Sequence, residues 1–261
     1  EKDGHVRNAY RTRTLCGQVF RYAIRTERAE RDPAADLRDT LQGVKERHHA
    51  ALTDPSEFAR LLRDIETYAG EPSTMAALRL APILFARPGE LRAARWEDFD
   101  LDAGTWAYQP GKGGSPMVTP LPRQAVEILR ELHALTGPDG FVFPSARGGD
   151  RPLSQSALRL ALLKLGYGGK MTPHGFRATA RTLLAERFGV PAEQIEMQLG
   201  HAVRDSNGRA YNRTTFLEQR RDMLQRWADY LDRLREGAVP LARPASREAV
   251  STAVTCFLTT A

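Results

Sequence analysis

The chain has 261 residues, room for one large domain or one domain with part of another. Its 38 lysines and arginines outnumber 32 aspartates and glutamates, a formal charge of +6 that favours a polyanionic partner. Cys16 and Cys256 stand at opposite ends, so neither a disulfide framework nor a metal knuckle is available, and no run of about eighteen apolar residues exists to span a membrane. The expectation is a protein of the reducing cytoplasm without a visible signal peptide, although the chain opens on Glu1 rather than methionine.

Residues 1–42 carry Leu15, Val19, Phe20, Tyr22, Ala23 and Ile24 at helical spacing among many arginines. A single helix cannot bury such a stripe alone, so it packs either on further helices or on the rest of this chain. Residues 43–56 are polar and read as a connector. His48 and His49 adjoin one another within it, which on a helix turns them about 100° apart and unsuits them to one metal. Residues 57–68 (EFARLLRDIETY) predict a short amphipathic helix, and 75–86 (MAALRLAPILFA), almost wholly apolar, a buried one.

Arg87 follows at a Pro-Gly break, with helix resuming over 90–96. A guanidinium emerging from an apolar segment needs a carboxylate or phosphate, because a desolvated unpaired charge is costly. Both an internal pair with Glu90 or Glu97 and a phosphate contact remain open. Short alternating segments at 99–104, 105–109 and 116–122 predict a small antiparallel sheet with a glycine-rich hairpin tip that holds Lys112. By itself, a lysine in such a turn is most often only solvent-exposed. Residues 123–135 and 154–165 predict two more helices, the second with Arg159 and Lys164 on a basic face suited to phosphates or to solvent.

The densest stretch is 172–212. Thr172 and Pro173 suit the start of a helix running to Gly189. His174 and Arg177, three residues apart, share one face of it. A second helix led by Pro191 ends at Gly200 and leaves His201 just past its C-terminus. Tyr211 stands ten residues later. Singly, each has an ordinary reading as a solvated or packing side chain. After it, 215–236 predicts a strong amphipathic helix that closes the domain or docks on a neighbouring copy, and 237–261 loses all periodicity, as disorder or a partner-pairing strand.

The ordered set HGFRATARTLLAE, QLGH and AYNR resembles the tyrosine recombinases, and more narrowly the integrases of satellite phages and genomic islands. RPGELRAARWEDFD is similar to that family's box around a first catalytic arginine, and KGGSPMVTPLP to its lysine hairpin, with Met117 standing where related integrases often carry histidine. The resemblance, which stops near residue 241, implies a mainly α fold with a small antiparallel β-sheet (α+β). Residues 1–42 would be the end of a helical core-binding domain, 43–56 a linker, 57–236 the catalytic domain and 237–261 a tail; further helices of the first domain, and any arm-binding domain, would precede Glu1.

The implied activity is site-specific DNA recombination through a 3′-phosphotyrosyl intermediate. Arg87 and Arg177 would clamp the phosphate, His174 take the tyrosine proton, Lys112 protonate the leaving 5′ oxygen, His201 donate a hydrogen bond to the phosphate, and Tyr211 attack. No metal, ATP or other cofactor is implied. The implied partners are double-stranded DNA at attachment sites, three further copies in a homo-tetramer, and an accessory DNA-bending or directionality factor, in a bacterial cytoplasm and on the nucleoid when bound to DNA. A type IB topoisomerase, an inactive sequence-specific DNA-binding protein and a metal-dependent nuclease are the rival readings.

Overall fold

The structure is a computed structural model and describes residues 6–38, 40–41, 49–111, 116–148, 150–201 and 216–237. It divides into two compact units, Glu1–His48 and His49–Ala261, so the division falls inside the expected connector. Lys112, Tyr211 and the tail beyond residue 237 lie outside the described residues.

In the first unit, helix α1 (Val6–Arg25) is followed by turns that fold back along it. Arg13 donates to the carbonyl of Arg38 at 2.8 Å, Tyr10 to that of Leu41 at 3.3 Å, and Gly17 is the buried point of the helix. The apolar stripe read from the sequence stays open: Leu15, Val19 and Tyr22 are each more than half exposed.

The second unit is built around helix α3 (Pro72–Leu84), which the sequence places in the core by composition and which here starts three residues earlier than its apolar run. It packs against α2 (Pro55–Glu66), α5 (Arg123–Thr136), α6 (Ala157–Lys164), α7 (Gly175–Phe188) and α9 (Leu217–Arg235). Asp54 caps α2, its carboxylate accepting from the amides of Ser56 and Glu57 at 2.9 and 3.0 Å. On the face of α9 that the sequence pattern marks as apolar, Leu224, Trp227 and Leu231 are fully buried, and the Trp227 indole donates to the Pro82 carbonyl of α3 at 2.9 Å. Trimming Leu231 to alanine would cost about 2–5 kcal/mol, so α9 is an integral wall of the core rather than an appendage.

Where α3 ends, Phe85 takes a left-handed backbone (φ 36°) with its ring fully buried. Few bulky residues adopt this conformation. It redirects the chain so that Arg87 becomes the first residue before α4 (Pro88–Arg92), and the helix expected to continue to residue 96 instead stops and resumes as a short 3-10 turn at Trp96–Asp98. The sheet is three-stranded and antiparallel, β1 (Phe99–Asp100), β2 (Thr105–Tyr108) and β3 (Met117–Pro120), in sequence order, with Trp106 opposite Thr119 and Tyr108 opposite Met117. The expected fold class is therefore observed: mainly helical, with one small antiparallel sheet.

Candidate active site

Helix α7 and the short helix α8 (Ala192–Gln198) carry most of the site. Helix α7 begins at Gly175 rather than at Pro173, with the Thr172 hydroxyl accepting from the Gly175 amide at 3.0 Å and His174 at the cap position. The start is pinned from outside: the Thr172 amide donates to the Ala50 carbonyl at 3.0 Å, and a Cβ on Gly175 would overlap that same carbonyl. Only glycine permits this close approach. One turn into α7, the Thr179 hydroxyl donates to the Leu52 carbonyl at 2.9 Å.

Helix α8 ends as its sequence suggests. Gly200 is left-handed (φ 62°), its amide donates to the Met197 carbonyl and the His201 amide to the Glu196 carbonyl, both at 3.0 Å. This pair of bonds is the Schellman arrangement, and it fixes His201 just beyond the helix.

Two arginines converge on that same turn. Arg177 is only 4% exposed; its guanidinium donates to the Phe85 carbonyl at 3.0 Å and the Leu199 carbonyl at 2.7 Å, and lies 3.3 Å from His201 Nε2. Arg87, one third exposed at its side chain, donates to the Gly200 carbonyl and to Glu90 Oε1, each at 2.8 Å. Of the two carboxylates the sequence offered to Arg87, Glu90 is the partner and Glu97 pairs with Arg95 instead. Glu90 in turn accepts from the Tyr108 hydroxyl at 3.1 Å, and Tyr108 also lies 3.3 Å from Met117 Sδ. The phenol of Tyr108 is pushed well above its usual range, first by burial and then by the Glu90 charge.

Burial and the neighbouring Arg87 bring Arg177 down to about 10, which leaves it cationic at neutral pH. His174 is exposed, yet it is held below the usual histidine range, first by partial burial of its ring and then by its neighbours His49, Arg177, Arg87 and His201. A neutral imidazole near two guanidiniums can accept a proton.

Of the six residues singled out in the sequence, Arg177 and His201 touch, and Arg87, Arg177 and His201 all lie near enough to act electrostatically on His174; Lys112 and Tyr211 fall outside the described residues. Sequence reasoning missed three neighbours. His49, read as connector, has its ring centroid 4.5 Å from that of His174. Glu196 accepts from His201 Nδ1 at 2.5 Å and from Arg181 Nε at 2.7 Å. Tyr108 was visible only as a strand residue. Glu196 had a signal in the spacing, five residues before a histidine across a glycine stop; His49 had none, since its contact spans 125 positions of chain between residues 49 and 174.

The sequence family described as Phage integrase family matches residues 52–218, and Phage integrase central domain matches residues 1–40. The integrase of Enterobacteria phage P4 is 33% identical over 240 residues, covering 85% of this chain and 54% of that protein. The prophage integrase IntZ of Escherichia coli (strain K12) is 37% identical over 231 residues, covering 88% of this chain and 56% of that protein. The chain therefore spans about half the length of the curated relatives it matches. A crystal structure of a lambda integrase (75–356) dimer bound to a COC′ core site superposes with a TM-score of 0.59 at 22% identity, over 77% of this chain and 74% of that one, a likeness of fold.

Proposed function

The chain belongs to the phage integrase family, and we propose that it is a site-specific DNA recombinase of the tyrosine type that integrates or excises a mobile element. The observation that carries this reading is the convergence of Arg87 and Arg177 on the Leu199–Gly200 turn beside His201, with a neutral His174 at the rim. Two forked guanidiniums and a histidine suit the non-bridging oxygens of one phosphodiester, and in a partly dry pocket such donors stabilise the charge of a pentacoordinate transition state.

In the proposed step the Tyr211 oxygen attacks phosphorus while its proton passes to His174 Nε2 or Nδ1. The new P–O bond to tyrosine forms as the P–O5′ bond breaks, and the leaving 5′ oxygen takes a proton from the Lys112 ammonium. The phosphotyrosyl ester stores the bond energy, so rejoining to a second 5′ hydroxyl runs the same steps backwards without ATP. Residues 1–42 are assigned to the end of a core-binding domain and 57–236 to the catalytic domain. Double-stranded attachment-site DNA, a homo-tetramer and an accessory bending or directionality factor are the proposed partners, in the bacterial cytoplasm. Among the described residues no helix is long and apolar enough to cross a membrane.

The test is covalent trapping. Supercoiled plasmid, protein and EDTA at low salt are quenched with SDS, wild type against Tyr211→Phe. Protein-linked nicked DNA from wild type alone is expected; an adduct that survives Tyr211→Phe, or cleavage that needs a divalent metal, would overturn the proposal.

A further inference from the structure

We infer that Glu196 is a positioning residue for His201, holding the ring so that Nε2 faces the phosphate pocket; the inference rests on the recombinase reading above. Glu196 and His201 are tied twice, by the backbone bond from the His201 amide to the Glu196 carbonyl at 3.0 Å and by the side-chain bond from Nδ1 to Oε2 at 2.5 Å. The carboxylate itself is three-quarters buried, and its second oxygen is taken by Arg181 Nε at 2.7 Å. Arg181 and Arg177 lie one turn apart on α7, so Arg181, Glu196, His201 and Arg177 form a continuous chain of contacts that starts and ends on one helix.

Such an arrangement sets the chemistry of the ring. A nitrogen 2.5 Å from a carboxylate oxygen carries the proton, so Nδ1 is the donor and Nε2, 3.3 Å from the Arg177 guanidinium, accepts from it while the ring is neutral. For Nε2 to donate to a phosphate instead, the ring must take a second proton from solvent and become an imidazolium. Glu196 supplies the counter-charge for that state. Partial burial alone would push the Glu196 carboxyl up, but the hydrogen bonds from His201 and Arg181 outweigh it and hold the carboxyl below its ordinary range, so the charge is present at neutral pH. Arg181 keeps the carboxylate from rotating away. Outer carboxylates of this kind fix both tautomer and orientation of functional histidines, and removing one typically costs 10–100-fold.

The experiment compares wild type, Glu196→Gln and Glu196→Ala in the full 261-residue chain. One arm measures the rate of covalent adduct formation on supercoiled plasmid; the other records ¹⁵N spectra of the histidine rings without DNA. Glutamine keeps an acceptor at Nδ1 but removes the charge, whereas alanine removes both. Adduct formation is expected to slow about 10–100-fold in Glu196→Ala and by less in Glu196→Gln, with plasmid affinity unchanged. The His201 proton should sit on Nδ1 in wild type and leave it in Glu196→Ala. Adduct formation in Glu196→Ala as fast as in wild type would overturn the inference, as would a slow variant whose His201 still carries its proton on Nδ1. If wild type itself forms no adduct, the recombinase reading fails and the nitrogen spectra alone decide whether Glu196 orients the ring.

Discussion

Replacing Arg177 by lysine keeps the charge and removes the fork, which makes it a sharper probe than alanine. In the structure one guanidinium nitrogen serves the Phe85 carbonyl at 3.0 Å while the other serves the Leu199 carbonyl at 2.7 Å and faces His201. A single ammonium cannot span those acceptors. One charge-assisted bond is lost, worth about 1.5–3 kcal/mol, and with it the support of the left-handed Phe85. For a domain of this size that corresponds to a fall in Tm of about 3–12 °C, at about 2–4 °C per kcal/mol. Cleavage should suffer separately, because the lysine can offer the phosphate only a point charge. Loss of one preorganised donor predicts about 100–1,000-fold slower adduct formation. Urea denaturation and plasmid trapping on the same preparations check the two parts. A variant as stable as wild type would refute the claim that Arg177 holds the Phe85 and Leu199 carbonyls together, and a slowing of less than tenfold would refute its role as a phosphate clamp.

Stability should depend on pH through His174. Its folded value lies below the ordinary one, so the unfolded chain binds a proton first. That contribution is complete above about pH 6.5 and declines as pH falls from there toward the folded value; subtracting the profile of His174→Gln from that of wild type should isolate the decline, and a flat difference between pH 7.5 and pH 5 would contradict it. Arg220, only 2% exposed on α9, donates twice to Gln198 Oε1 at 2.9 and 2.7 Å and once to the Val118 carbonyl at 2.8 Å. Arg220→Ala should therefore destabilise by at least about 1–3 kcal/mol in urea, the cost of leaving a buried acceptor unsatisfied, and a loss below 1 kcal/mol would show the network to be dispensable.

Helix positions were legible because they rest on local signals. Gly200 stops α8 and presents His201 for the reason the sequence supplies, a left-handed residue that satisfies the last carbonyls. The spacing of Leu224, Trp227 and Leu231 likewise fixes the buried face of α9. What escaped was set by contacts distant in sequence. Nothing near His49 announces His174, and Ala50 meets Gly175 only because the segment leading into α2 lies across the start of α7. The early stop of α4 at Arg92 is of the same kind, since alanine and arginine favour helix and the chain nonetheless turns there, with the Val142 amide donating to the Ala94 carbonyl at 2.9 Å and the Trp96 amide to that of Gly140 at 3.0 Å.

Both arginines meet a substrate already engaged. Arg177 spends its donors on backbone carbonyls, which are neutral and stay put, so its position is independent of DNA. Arg87 spends one donor on the Gly200 carbonyl and one on Glu90, a carboxylate only 12% exposed and braced by Tyr108. A phosphate entering the pocket brings a negative charge toward that carboxylate and competes with it for the same guanidinium. The two interactions differ in kind: the Gly200 bond orients the fork, whereas the Glu90 pair neutralises it. About one third of the Arg87 side-chain surface remains open to solvent. The free pocket is therefore less positive than two arginines imply. Its full attraction for phosphate is realised at short range, where the forks are aligned, and much less at a distance, where Glu90 offsets Arg87. Under the proposed function, such a field would favour a correctly seated phosphodiester over the long polyanion around it.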